Sequence, residues 1–280
     1  MLTLRSPAKI NWCLRILGKR SDGYHDLWTI MQRISLFDEL QFRKLSEDVI
    51  RVITEPELDL KQEDNLVYRA AELLKKRTGH AGGVEIFLKK NIPLQAGLGG
   101  GSSNAATTLK GLNELWGLGL ESEMLREVAS ELGSDVPFFL MDGVVLLEGK
   151  GERVRFLGEG QKKRWLLLVK PSFGVSTREA YARFKEYTLQ VEQTEQIINT
   201  ILTGTEDDLT SCMVNDLEKT VFQIYPHLKE IKEKLIENGA IASLLSGSGS
   251  TVFGLLRTAQ QAQKLSHYFK KYWTKVVVTI

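Results

Sequence analysis

Pro93-Leu94-Gln95-Ala96-Gly97-Leu98-Gly99-Gly100-Gly101-Ser102-Ser103 holds four glycines in eleven residues and closes on two hydroxyls. Upstream, Gly83-Val-Glu-Ile-Phe-Leu-Lys89 reads as a strand, and the residues from Asn104 to Trp116 read as a helix. Strand, glycine loop and helix start together make an anion site. Glycines let backbone N–H groups turn inward, and a helix end adds unpaired donors and a positive dipole. Serines at a helix start also serve as N-caps, but capping alone needs one serine and no glycine run. The stretch therefore reads as a phosphate cradle, with a capped surface loop as the alternative. A P-loop would end in Lys followed by Ser or Thr, and a dinucleotide fingerprint would place a third glycine at Ser102. This is a phosphate loop of another kind.

The 280 residues are enough for two domains, and 42% apolar content supplies a sizeable core. With 37 basic and 35 acidic residues the net charge is +2, so no global basic character points to nucleic acid. Cys13 and Cys212 are far apart and lack metal-ligand spacing, which fits a reducing cytoplasm rather than a disulfide framework or a zinc site. No run approaches twenty apolar residues, and Met1-Leu-Thr-Leu-Arg-Ser-Pro7 enters a strand at once, leaving no room for a signal peptide.

Along the chain, residues 2–17 carry strand-forming stretches interrupted at Ser6–Asn11, where Pro7 predicts an edge or a bulge. Gly18–His25 is a turn with Tyr24 and His25 at its tip. Strands are predicted at 27–36, 38–45 and 49–53, and their tight spacing suggests an antiparallel meander. Asn65 can cap a helix that Thr78-Gly79 ends, and helices follow at 102–116 and 122–132. Strands at 143–148 and 152–157 complete a first domain, residues 1–160. The polar run Gly158–Arg164 marks the boundary to a second, 161–280. There a strand at 165–169 precedes helices at 178–187, 193–202, 206–222 and 227–238. A second glycine-serine run, Ser246–Gly254, precedes a helix at 258–271 and a strand at 275–280.

A phosphate cradle needs a group to manage the acceptor hydroxyl, and a carboxylate beside a fixed cation suits that task. Asp135, in the small-residue turn Gly133-Ser134-Asp135, and Lys9 are the candidates; spacing alone does not bring them together, and a solvated surface is the commonest place for a single aspartate. Tyr24 and His25 could form a hydrogen-bonding aromatic pocket for a base, or a half-buried turn. His80, His227 and His267 are isolated, and Lys162-Lys163-Arg164 reads as a solvated linker.

Pro7-Ala8-Lys9-Ile10-Asn11, Gly23-Tyr24-His25, the 93–103 loop, Gly133-Ser134-Asp135-Val136-Pro137-Phe138-Phe139 and Ser246-Gly247-Ser248-Gly249-Ser250-Thr251 occur in that order. With these motifs, spread from residue 7 to beyond 250, the chain resembles the GHMP kinase superfamily, and within it the branch acting on a diphosphocytidyl-linked polyol. The resemblance implies an α+β, two-domain GHMP kinase fold: an N-terminal α/β domain with a left-handed βαβ unit and a ferredoxin-like C-terminal domain. It implies ATP and Mg2+ as cofactors, with the ATP phosphates on Pro93–Ser103. The γ-phosphoryl would pass to the 2-hydroxyl of a methylerythritol unit carried on cytidine diphosphate, in the non-mevalonate isoprenoid pathway. By motif position Asp135 matches the base and Lys9 its charged partner. Asn11, Tyr24 and His25 match the acceptor site, with Tyr24 stacking on cytosine and His25 hydrogen-bonding it. Tyr181 matches the aromatic on the ring's other face, through a weaker local motif.

Two departures stand out. Trp12 and Cys13 follow Asn11 where small aliphatic residues are usual, and no carboxylate is assigned to magnesium, which leaves ATP itself and a loop serine such as Ser103 to hold it. The expected protein is a cytoplasmic monomer or homodimer acting on small molecules, with no nucleic-acid or membrane partner. A mevalonate or homoserine kinase is the alternative enzyme, and an RNA-binding protein the alternative class.

Overall fold

The computed structural model describes residues 1–160 and 162–280. The chain forms two compact units, neither a single continuous stretch. The first comprises Met1–Ala8, Leu36–Pro93 and Gly99–Met141; the second comprises Lys9–Ser35, Leu94–Leu98 and Asp142–Ile280.

Two long strands, β1 (Leu2–Lys19) and β2 (His25–Leu45), are hydrogen-bonded neighbours and contribute residues to both units. Neither predicted break occurs. Pro7 withdraws one donor, a loss a strand tolerates where the ladder does not use that N–H, and β1 runs on through it. At Phe37-Asp38 the strands expected at 27–36 and 38–45 are one, because the Asp38 carboxylate is buried and bonded rather than solvated in a turn.

In the first unit, β3 (Ile50–Glu55), α1 (Leu66–Thr78) and β4 (Gly83–Lys89) form a parallel crossover unit, with β3 and β4 in register from Ile50↔Val84 to Glu55↔Lys89. The other edge of β4 pairs antiparallel with β2, from Glu39↔Lys89 to Leu45↔Gly83. The expected antiparallel meander is therefore wrong: β4 lies between β2 and β3. Gly83 permits this, since a Cβ there would lie 2.0 Å from the Glu47 carbonyl oxygen. Asn65 caps α1 by accepting from the Val67 N–H at 3.0 Å, and left-handed Gly79 ends it. Then come α2 (Gly100–Trp116) and α3 (Ser122–Leu132), and all three helices touch one another. Gly111 lets α2 approach the Phe42 ring, which a Cβ would meet at 2.7 Å.

In the second unit, β5 (Val144–Gly149) pairs with the first half of β2 and forms a hairpin with β6 (Arg153–Gly158). Next come β7 (Trp165–Lys170), α4 (Thr177–Arg183), α5 (Thr194–Thr203) and the single turn α6 (Glu206–Leu209). The helix expected over 206–222 is broken by β8 (Val214–Asn215), which pairs parallel with Cys13 and Leu14 of β1 before α7 (Leu217–Ile224) begins. A two-residue strand has no periodicity to read.

The remaining elements are α8 (Pro226–Glu237), β9 (Ala242–Leu245), β10 (Val252–Leu256), α9 (Ala259–Ser266) and β11 (Trp273–Val278). The sheet order β11-β7-β10-β9, antiparallel throughout, is the ferredoxin-like order 4-1-3-2. Helices α8 and α9 pack on this sheet, burying Leu228, Ile231, Leu235 and Leu265 against Leu167, Val169 and Val252. Each fully buried aliphatic of this kind contributes about 1.5–3 kcal/mol. Residues 278–280 are stitched to β2: Val278 N–H donates to Ser35 Oγ at 2.9 Å, Thr279 bridges Ile34, and Ile280 N–H donates to the Arg33 carbonyl at 3.0 Å. No helix among the described residues is long and apolar enough to cross a membrane.

Candidate active site

The glycine loop meets α2 in the first unit. Gly99 precedes the helix with φ +70°, and α2 begins at Gly100, two residues before the expected start. No side chain caps it, so the serines do not act as N-caps, and the first-turn N–H groups have no intrahelical acceptor. Ser103 is fully buried; its Oγ accepts from Ser6 Oγ at 2.7 Å. Behind it lies a polar group that the sequence reading did not single out. Asn104 Nδ2 donates to Ser6 Oγ and to Asp38 Oδ2, each at 2.9 Å, and Lys90 Nζ pairs with Asp38 while donating to Asn104 Oδ1 at 3.0 Å. Burial holds the Lys90 ammonium below its ordinary pKa, and Asp38 opposes that shift. An acid inside an apolar strand was the only local signal for this cluster.

Asp135 also lies in the first unit, half-buried in the turn between α3 and the 3-10 segment Pro137–Leu140. The turn closes through the Val136 N–H to the Gly133 carbonyl at 3.1 Å, and the buried Val136, Phe138 and Phe139 anchor it.

The second unit brings Lys9, Asn11, Gly97 and Gly247 together. Strand alternation puts Lys9 and Asn11 on one face of β1. Both are buried, and Lys9 Nζ donates to Asn11 Oδ1 at 2.6 Å. Asn11 Nδ2 donates to Thr29 Oγ1 at 2.7 Å, and that hydroxyl donates to the Cys13 carbonyl at 2.8 Å, so the amide cannot rotate freely. A Cβ on Gly247, at φ +55°, would lie 3.3 Å from Lys9 Nζ and 3.5 Å from Asn11 Oδ1. The second glycine-serine run supports the first. Ser246 Oγ donates to the Gly97 carbonyl at 3.0 Å, Ser250 N–H to the Gln95 carbonyl at 3.3 Å, and Thr251 N–H to the Ala96 carbonyl at 3.2 Å. Asn215 holds the second run in turn, donating to the carbonyls of Leu245 and Gly247 at 2.8 and 2.7 Å.

The aromatic residues are also in the second unit. Arg20 bonds Asp22 and Asp26 across the turn, and the Asp22 carboxylate accepts from the Tyr24 N–H at 3.1 Å, which holds its pKa below the usual range. Tyr24 is 56% exposed, with Lys150 Nζ 5.4 Å from its ring centroid; a ring so open can receive a flat ligand. The His25 ring is 5.2 Å from Tyr181 on α4, and stacks at 6.2 Å on Tyr187, which the sequence reading missed. Burial, aided by Lys19, lowers the His25 pKa, so the imidazole is neutral at pH 7 and offers one donor and one acceptor. Among the described residues, no group of three or more His, Cys, Asp or Glu side chains could hold a metal ion.

A glycine loop leading into an uncapped helix, followed by a ferredoxin-like sheet, is the arrangement that the resemblance to GHMP kinases implies. The family descriptions agree: residues 65–143 match "GHMP kinases N terminal domain" and residues 201–275 match "GHMP kinases C terminal". A 4-diphosphocytidyl-2-C-methyl-D-erythritol kinase of Thermodesulfovibrio yellowstonii is 47% identical, over 100% of this chain and 98% of that one. The enzyme of the same name from Pelotomaculum thermopropionicum is 43% identical, over 100% and 97%. A crystal structure of 4-(cytidine 5'-diphospho)-2C-methyl-D-erythritol kinase superposes with a TM-score of 0.85 at 31% identity, covering 99% of each chain. The chain belongs to the GHMP kinase family, on the branch that includes these 4-diphosphocytidyl-2-C-methyl-D-erythritol kinases.

Proposed function

We propose that this kinase transfers the γ-phosphoryl group of MgATP to the 2-hydroxyl of 4-diphosphocytidyl-2-C-methyl-D-erythritol, a step of non-mevalonate isoprenoid precursor synthesis. The observation that carries the reading is full-length identity of 47% to a kinase bearing that substrate's name. The phosphates rest on Pro93–Ser103, where the glycines and the uncapped start of α2 favour an anion. Magnesium enters on ATP as part of the substrate.

Asp135 takes the proton from the 2-hydroxyl as that oxygen bonds the γ-phosphorus and the bond to the β-phosphate oxygen breaks, releasing ADP. Lys9 supplies the positive charge that keeps the base ionised and offsets charge on the phosphoryl group. Its burial supports this role, since a desolvated cation acts more strongly on nearby charge. Asn11 orients Lys9 and the acceptor. Tyr24 stacks on the cytosine, Tyr181 covers its other side, and neutral His25 bonds the base edge, a role its donor–acceptor pair suits.

Along the sequence the domain boundary falls near residue 160, between family matches that end at 143 and resume at 201, while residues 9–35, 94–98 and 142–160 belong to the second compact unit. The enzyme works in the cytoplasm as a monomer or homodimer. The test is ADP formation with the diphosphocytidyl substrate set against mevalonate and homoserine. Turnover is expected with the first alone, and turnover with either of the others in its place would overturn the assignment.

A further inference from the structure

The Asp38 carboxylate is fully buried and grips the chain on both sides of the glycine loop. Its Oδ1 accepts from the backbone N–H groups of Asn91 and Ile92, at 2.7 and 2.8 Å, which lie just before Pro93. Its Oδ2 accepts from Asn104 Nδ2 at 2.9 Å, which lies just after Ser103, and pairs with Lys90 Nζ. One side chain thus ties the upstream and downstream shoulders of an eleven-residue segment to the same strand of the sheet. The tie reaches the helix start as well. A Cβ on Gly100 would lie 2.9 Å from Ile92 Cγ2 and 3.2 Å from Lys90 Nζ, so the first residue of α2 sits directly on two of the four residues that Asp38 holds.

A carboxylate so enclosed is costly to bury unless its bonds are complete, and here four donors satisfy it. An apolar residue in its place would strand the buried Lys90 ammonium and the N–H groups of Asn91 and Ile92, so the carboxylate stabilises the segment as well as shaping it. What the charge adds is a fixed span between the two shoulders, and that span sets where the glycine N–H groups point. We infer that Asp38 is a positioning residue for nucleotide phosphate: it clamps the two shoulders of the glycine loop at the separation that a triphosphate requires. The inference rests on the reading of Pro93–Ser103 as the ATP phosphate loop.

The test is steady-state kinetics and thermal unfolding of the full chain carrying Asp38→Asn or Asn104→Ala. Asp38→Asn keeps the shape but turns an acceptor oxygen into an amide facing Lys90 and Asn104. The KM for MgATP should rise about tenfold or more, while the KM for the diphosphocytidyl acceptor stays within about twofold. Asn104→Ala cuts the downstream tie, together with the bonds to Ser6 and Lys90, leaves the Asn91 and Ile92 ties in place, and should raise the KM for MgATP by about three- to tenfold. It decides the matter should Asp38→Asn fail to fold. A merely structural role would lower the melting temperature and leave both KM values unchanged, or move them in parallel; either result overturns the inference. If wild-type enzyme shows no ATP turnover, the loop reading itself fails. If wild type turns over and the variants match its KM for MgATP, only the clamp is refuted.

Discussion

Lys9 Nζ and Asn11 Oδ1 lie 2.6 Å apart on one face of β1, with Asn11 held from behind by Thr29. This bond sets the direction of a buried cation. Replacing Asn11 by Leu removes that acceptor and leaves the Thr29 hydroxyl without its donor. A hydrogen bond to a charged group contributes about 1.5–3 kcal/mol, so kcat should fall about ten- to a hundredfold. The KM for MgATP should hardly change, and stopped-time assays of ADP release check both constants.

Asp135→Asn preserves the shape of the turn but removes the base. Turnover should drop by about two orders of magnitude or more, while ATP binding measured by calorimetry stays near wild type. Turnover at the wild-type level would sink the assignment of Asp135.

The aromatic residues should control one substrate and not the other. Tyr24→Ala, His25→Ala and Tyr181→Ala are each expected to raise the KM for the diphosphocytidyl substrate about tenfold, with the KM for MgATP within about twofold. Equal effects on the two constants would argue against a cytosine site.

The lowered pKa of His25 gives a pH dependence with a definite sign. In the unfolded chain His25 takes up a proton near its ordinary value of about 6.5, and in the folded protein only at lower pH. Its contribution to stability is therefore undiminished above pH 6.5 and is lost as pH falls through the lowered folded value. Protonation also removes the ring's acceptor. The KM for the diphosphocytidyl substrate should rise over that same acidic range, with a flat profile for MgATP, and His25→Gln should abolish the rise.

Gly97 should tolerate no side chain. At φ +73° an added Cβ would lie 1.9 Å from the Ser246 carbonyl oxygen. Gly97→Ala is expected to cost about 1–3 kcal/mol from backbone strain alone, and more from the collision. Urea unfolding would register the loss, and the KM for MgATP should rise with it.

Much of this was legible from residue order. The glycine run, the cap at Asn65 and the apolar strand at Trp165 are local signals, and the elements appear where those signals stand. Other features were hidden because their partners are distant in sequence. The continuity of β2 through Phe37-Asp38 was one of these, since the groups that satisfy Asp38 lie 52 to 66 residues away. Val214–Asn215 looked like mid-helix because its strand partner is at Cys13–Leu14, and Asn215 supports Gly247 across 32 residues. Tyr187 carried no motif, and only the fold sets it on His25. The order of β2, β4 and β3 depended on the turn that Gly83 accommodates, a contact no periodicity encodes.

The stitching of residues 278–280 to Arg33, Ile34 and Ser35 has a bearing on synthesis. Some 243 positions separate Ser35 from Val278, so these bonds cannot form until almost the entire chain has left the ribosome. Residues 9–35, which carry Lys9, Asn11, Tyr24 and His25, emerge early and must wait for the sheet that completes their unit. During translation the candidate acceptor residues are therefore made first while the last strand of their unit, β11, is made last, and throughout that interval their apolar strands are open to chaperones and to aggregation.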